Sequence, residues 1–343
     1  MKEFNINGFV RKNILELQPY ISFRDQNEFD SPVFMDANES PFGNLNRYPD
    51  STHKKLKQKL SVIKNVSSNN IALGNGSDEL IDLIIKIFCE PKKDAVLRMN
   101  PSFAMYDFYA SINENKVVKL DLNEDFNIVK DDFLNLMNGN QLKIFFLCSP
   151  NNPTGNSIED LEFYIENFNG IVVVDEAYIE FSGRKSCIEL LDKYPNLIVL
   201  QTFSKAWGMA GARVGMAYAS EEIIKLINTV KAPYNINSLS VDLVSKAIDS
   251  LKPLNQNIER ILLEKSWLRD QFENISCIKK VYPSEANFFL IAFENGDKVY
   301  EQLLKKEILT SKRSPYIPDC IRMNVGTREE NSKLIAALQN IEL

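Results

Sequence analysis

The chain has 343 residues, 44% of them hydrophobic and 25% charged, with a formal net charge of −6. That length exceeds one simple core and predicts two units, while the acidic balance excludes the basic footprint of a nucleic-acid-binding protein. No apolar run approaches the ~20 residues of a membrane span. MKEFNINGFV lacks the basic start and apolar core of a secretory leader, so the expected home is the cytoplasm.

In chain order, GNGSDE at 74–79 leads into a stretch where Leu80, Leu83, Ile84, Ile87 and Phe88 share one helical face. Gly76 and its neighbours allow close backbone approach, and free amides at a helix start bind anions. A plain cap by Ser77 or Asp78 explains the string as well. The third glycine of a dinucleotide fingerprint is missing, and no GKS or GKT follows as in a P-loop.

Residues 95–99 read as a strand ending at NPSFAMY, and 143–148 as another ending at SPNNPTG. Leu161, Tyr164, Ile165 and Phe168 share a second helical face. Strands at 171–174 and 197–200 end at Asp175 and at Thr202 to Lys205. Strand alternating with helix predicts an α/β fold with a mostly parallel central sheet flanked by helices. Ligands bind at the carboxyl ends of such strands, so four separate segments deliver polar groups to one edge.

Beyond about Tyr234 the texture changes. A helical stretch over 241–272, apolar runs at 287–293 and 321–325, and helical patterns at 299–306 and near the end predict a smaller α+β unit. The expected division is a large unit over 30–235 and a small one formed by 1–29 and 236–343.

Cys89, Cys148, Cys187, Cys277 and Cys320 are scattered without a CxxC pair and read as reduced, mostly buried thiols. His53 is the single histidine, which excludes HExxH and any His-rich zinc site. Within PDSTHKKLKQKL it is expected as an exposed imidazole on a charged helix. Proton transfer must then fall to another group.

Lys205 lies in QTFSKAWGMAGARVG, 201–215, among Phe203, Trp207 and Met209. Burial and a nearby cation lower a lysine pKa and favour the nucleophilic amine. Thr202, Ser204 and Arg213 add donors for a phosphate, although Arg213 also suits a surface ion pair. One amine able to form a Schiff base beside a phosphate cradle is what pyridoxal phosphate requires. Asp175 can cap the following segment or hold a pyridine nitrogen protonated. Tyr178 and the asparagines before Pro153 can reach a phenolic oxygen. Arg322, inside CIRMNVG, needs an anion, either an internal carboxylate or a substrate.

These strings, with LQPY, MDANESPFG, NRYPD, VVVDEAYIEF, KAPYNIN and IRMNVGTREE, span nearly the whole chain. Together they resemble the fold-type I, class I/II pyridoxal-phosphate-dependent aminotransferases. DEAYIEF and VGTREE resemble the histidinol-phosphate aminotransferase branch of histidine biosynthesis. The resemblance implies transamination of histidinol phosphate with 2-oxoglutarate, giving 3-(imidazol-4-yl)-2-oxopropyl phosphate and glutamate.

It also implies that Lys205 carries the cofactor, Asp175 holds the ring nitrogen, and Tyr178 and Asn152 hold the phenolic oxygen. Gly76, Ser77, Asp78, Thr202, Ser204 and Arg213 would form the phosphate cradle, and Phe103 would stack on the ring. Tyr48 would reach the phosphate from a neighbouring subunit of a homodimer. Tyr20, Asn38, Asn152 and Arg322 would meet the substrate. In EILTSKRSP, Thr310 or Ser311 stands about where the family has a second substrate arginine, and Arg313 is expected to replace it. Rival readings are an aromatic or general amino-acid aminotransferase, a threonine-phosphate decarboxylase, a non-catalytic ligand sensor, and a dehydrogenase.

Overall fold

The computed structural model describes residues 5–24, 26, 27, 32–137 and 141–341. The expected join between 29 and 30, the first four residues of MKEFNINGFV and the last two of the chain lie outside them.

Seven strands form the larger sheet: β1 (Ile71–Asn75), β2 (Ala95–Asn100), β3 (Lys116–Asp121), β4 (Leu142–Cys148), β5 (Ile171–Asp175), β6 (Leu197–Thr202) and β7 (Val214–Ala219). Their order is β1-β7-β6-β5-β4-β2-β3. β3, β2, β4, β5 and β6 pair in parallel, and β7 runs antiparallel to both β6 and β1. β5, β6 and β7 are buried throughout, as strands covered on both faces must be. The helix Ser77–Phe88 lays the apolar face read from the sequence against β1, β6 and β7.

The second sheet holds β8 (Ile278–Val281), β9 (Phe288–Phe293), β10 (Ser311–Lys312) and β11 (Cys320–Asn324), in the order β10-β11-β9-β8 and antiparallel throughout. The helical stretch expected over 241–272 is two helices, Ser238–Ile248 and Lys252–Phe272. Pro253 sits in the first turn of the second, where its missing N–H costs nothing, and it cannot continue the first.

One apolar cluster fills the larger sheet and its helices. Residues beyond both expected joins pack on it: Ile6, Val10 and Ile14 near the start, Ile236, Val244 and Ile248 past residue 235. A second cluster joins β9 and β11 to the helix Lys252–Phe272. A third, smaller one lies between the sheets and contains Tyr178, Ala206 and Phe288.

All five cysteines are free and buried. His53 corrects its expectation. It is only 3% exposed, and its Nε2 lies 3.1 Å from Asn235 Oδ1. Burial pushes the imidazole pKa down. Its partner is remote in sequence, so the charged neighbours in PDSTHKKLKQKL carried no sign of the burial.

Candidate active site

The carboxyl ends of β5 and β6 place Asp175 and Lys205 on the same edge, with Tyr178 between the sheets. Asp175 is 3% exposed. Its Oδ2 accepts from the Tyr106 hydroxyl at 2.7 Å and its Oδ1 from the Ala177 N–H at 3.1 Å. Burial raises the carboxyl pKa, while those two donors and Lys205 favour the charged form. Lys205 is half-buried. Burial lowers its pKa first, and the Arg322 charge pushes the same way against Asp175. Its Nζ lies 5.5 Å from the Tyr178 ring centroid. Burial also raises the Tyr178 phenol, whose ring meets Phe288 edge-on at 5.2 Å. The edge therefore offers an amine biased toward neutrality beside a dry carboxylate.

The anion-binding elements gather at the β1 end. Gly76 caps the helix Ser77–Phe88 with φ +79, and a Cβ there would lie 2.5 Å from Arg213 Nη2. A side chain at Gly215 would collide with the Ser77 N–H, so both glycines serve close approach. No side chain caps this helix, which leaves the Ser77 and Asp78 amides at its open end. Arg213 Nη2 lies 3.2 Å from Asp78 Oδ2. The Thr202 hydroxyl donates to Ser204 Oγ at 3.0 Å and accepts from the Ser204 N–H at 3.1 Å. Phe103 packs edge-on against Tyr106, with centroids 5.6 Å apart.

Arg322 reaches this edge from β11. Its Nη1 donates to Asn152 Oδ1, its guanidinium carbon lies 5.2 Å from the Phe288 centroid, and its Nε is buried without a hydrogen-bond partner. Arg313 stands close by: burial and then the Arg322 charge lower its pKa.

Tyr20, Asn38 and Tyr48 are not part of this cluster. Tyr48 stacks on Tyr234 at 4.6 Å, and burial, then the neighbouring Tyr20, raises the Tyr234 phenol pKa. Tyr48 lines a cavity of about 710 Å³ and, with Asn38, one of about 470 Å³. Neither cavity is lined by Lys205, Asp175, Arg213 or Arg322.

Tyr106 escaped the sequence reading. It lies within the NPSFAMY string, but its contact with Asp175 spans 69 positions and leaves no local pattern. Glu176, next to Asp175, turns away from the site into a structural role, accepting from the Ser186 hydroxyl at 2.5 Å and from Gln201 Nε2 at 2.9 Å.

The model of the family "Aminotransferase class I and II" matches residues 21–338. The chain belongs to that family. It is 46% identical to the histidinol-phosphate aminotransferase of Christiangramia forsetii over 358 aligned residues, covering 100% of this chain and 99% of the relative. Among solved structures, the histidinol-phosphate aminotransferase of Clostridium acetobutylicum aligns with a TM-score of 0.79 and 26% identity, covering 87% of this chain and 91% of that one. The histidinol-phosphate aminotransferase of Sinorhizobium meliloti, solved in complex with pyridoxal-5'-phosphate, aligns with a TM-score of 0.78 at 23% identity, covering 89% of each chain. At that identity the last likeness speaks for the fold. The aminotransferase family, the mostly parallel sheet and its flanking helices agree with the fold expected from the sequence. The dehydrogenase reading falls with them.

Proposed function

We propose that this aminotransferase transfers the amino group of histidinol phosphate to 2-oxoglutarate, giving 3-(imidazol-4-yl)-2-oxopropyl phosphate and glutamate in histidine biosynthesis. Arg322 carries the reading. It presents a buried, unpartnered Nε from the second sheet toward the edge that holds Lys205. An uncompensated guanidinium needs an anion. A phosphate arm on one substrate and the α-carboxylate of the other, which occupies the same arm of the amine-bearing carbon, satisfy it in turn. The full-length likeness to histidinol-phosphate aminotransferases supports the choice.

Pyridoxal phosphate fits the edge. The Gly76 turn would be filled by a Cβ, and the helix end behind it faces Arg213, which suits a phosphate. When bound, the cofactor supplies a protonated ring that withdraws electrons from the substrate α-carbon. Lys205 offers the amine that carries it and, once free, takes the α-proton. Asp175, buried and held by the Tyr106 hydroxyl and the Ala177 N–H, would hold the proton on the ring nitrogen. Tyr178 and Asn152 orient the phenolic oxygen, and Phe103 stacks on the ring. Ser77 and Asp78 amides, Thr202, Ser204 and Arg213 hold the phosphate. Arg322, Asn152 and Arg313 grip the substrate anion.

Tyr48 would complete the cradle from a second copy in a cytoplasmic homodimer, with Tyr20 and Asn38 entering the same shared site. Exposed Val33 and Met35, which line the same cavity as Tyr48, support such a contact. No described helix is long and apolar enough to cross a membrane. We place the functional division at the helix Lys252–Phe272, where packing passes from the first apolar cluster to the second.

The test is a substrate panel on cofactor-loaded protein: histidinol phosphate, phenylalanine and threonine phosphate, each with 2-oxoglutarate. Glutamate should form fastest with histidinol phosphate. Preference for phenylalanine, or carbon dioxide release from threonine phosphate, would replace the assignment.

A further inference from the structure

The β10–β11 pair sets which side chains share a face. Ser311 pairs with Arg322 and Lys312 with Ile321. The Arg313 N–H bonds Cys320 O at 2.9 Å, so the ladder continues one residue further. Side chains alternate along a strand, which puts Ser311, Arg313 and Arg322 on one side and Thr310 and Lys312 on the other. Lys312 fits that assignment, since its Nζ pairs with Asp297 at 2.9 Å, toward the helix Gly296–Lys305.

Arg313 does not extend into solvent. It folds back onto Ser311, its Nε donating to the Ser311 carbonyl at 3.3 Å and its Nη2 to the Ser311 hydroxyl. Among the described residues, neither Arg313 nor Arg322 pairs with a carboxylate. Two neighbouring guanidiniums with no internal counter-charge repel one another until an anion arrives. A second guanidinium adds more for a dianion than for a monoanion.

We propose that Ser311 is a specificity-setting positioning residue: it holds Arg313 beside Arg322, and the pair selects a doubly charged phosphate monoester over a singly charged carboxylate arm. The proposal rests on the phosphate-substrate reading above and names the residue that enforces it.

The cofactor-loaded enzyme tests it. Ser311→Ala should raise KM for histidinol phosphate about tenfold, with much smaller changes in kcat and in KM for glutamate. Ser311→Thr, which keeps the hydroxyl, should restore the KM. Arg313→Ala should show the same selective loss. In that background Ser311→Arg should recover phosphate preference and Thr310→Arg should not, because only position 311 faces Arg322. Calorimetric titration with phenyl phosphate, which has no amine to react, should weaken about tenfold in Ser311→Ala. Equal KM increases for both substrates, unchanged phenyl phosphate binding, or rescue by Thr310→Arg as good as by Ser311→Arg would overturn it. If the unaltered enzyme ignores histidinol phosphate, the substrate reading fails, and the phenyl phosphate titration still decides the clamp.

Discussion

The two sheets contribute to the site in different ways. The edge of the seven-stranded sheet is built largely by the backbone: strand ends set down Asp175 and Lys205, two glycines allow the β1 turn to approach Arg213, and a helix end presents its amides. The four-stranded sheet contributes through side chains, with Arg322 and Arg313 aimed by register and by a fold-back onto Ser311. A backbone-built edge is fixed once the fold forms, and it suits chemistry shared across a family. A side-chain-built clamp changes with one substitution, and it suits the selection of a substrate.

The largest effect should come from the backbone-built edge. Lys205→Ala removes the amine and the general base together, so turnover should fall by more than the ~10²–10⁴-fold that a base alone supplies. The Gly76 turn and Arg213 remain, so the variant should still retain cofactor non-covalently through gel filtration. Turnover within tenfold of normal would show that the chemistry is not centred on this edge.

Asp175→Asn should follow, with a rate loss of about 10²-fold and an opposite effect on stability. Burial raises the native pKa of this carboxyl above its ordinary value of 3.8. Such a group contributes stability that is fully present below the unfolded pKa and is lost as pH rises through the native pKa. Asparagine does not ionise. The cofactor-free variant should therefore melt higher than the parent at neutral pH, with the gain vanishing toward pH values below the unfolded pKa. A gain that is largest in acid would reverse the sign and refute the buried-carboxylate account.

The same contrast governs what the sequence made legible. The parallel strands were visible as apolar runs because both of their faces are buried. Asp175 and Lys205 followed as the polar residues that end them. The antiparallel direction of β7 left no mark, since VGMAYA is buried along its length whichever way it runs. Arg313 was legible as a candidate, but its face depends on pairing with β11, and register is a property of two segments. Tyr106 and the His53–Asn235 contact were hidden for the same reason: each is a side-chain meeting between distant segments, while the local strings show only the last residue of NPSFAMY and an imidazole among charged neighbours.

The smallest of these effects is the sharpest on how a backbone-built edge is tuned by a side chain. Tyr106 is fully buried, stacked on Phe146 at 4.5 Å and edge-on to Phe103. Tyr106→Phe keeps that packing and removes the 2.7 Å donor to Asp175 Oδ2. A hydrogen bond to a charged group is worth about 1.5–3 kcal/mol, and its loss disfavours the ionised carboxylate, so the Asp175 pKa must rise. A carboxylate harder to ionise holds the ring nitrogen's proton less firmly. kcat/KM should drop about tenfold, and the acid limb of its pH profile should move to higher pH. An unmoved acid limb with the rate intact would mean that the Ala177 N–H alone keeps Asp175 charged. A tenfold loss with an unmoved limb would make Tyr106 a packing residue that shifts Phe103. Only the two changes together identify it as the group that keeps a buried carboxylate ionised.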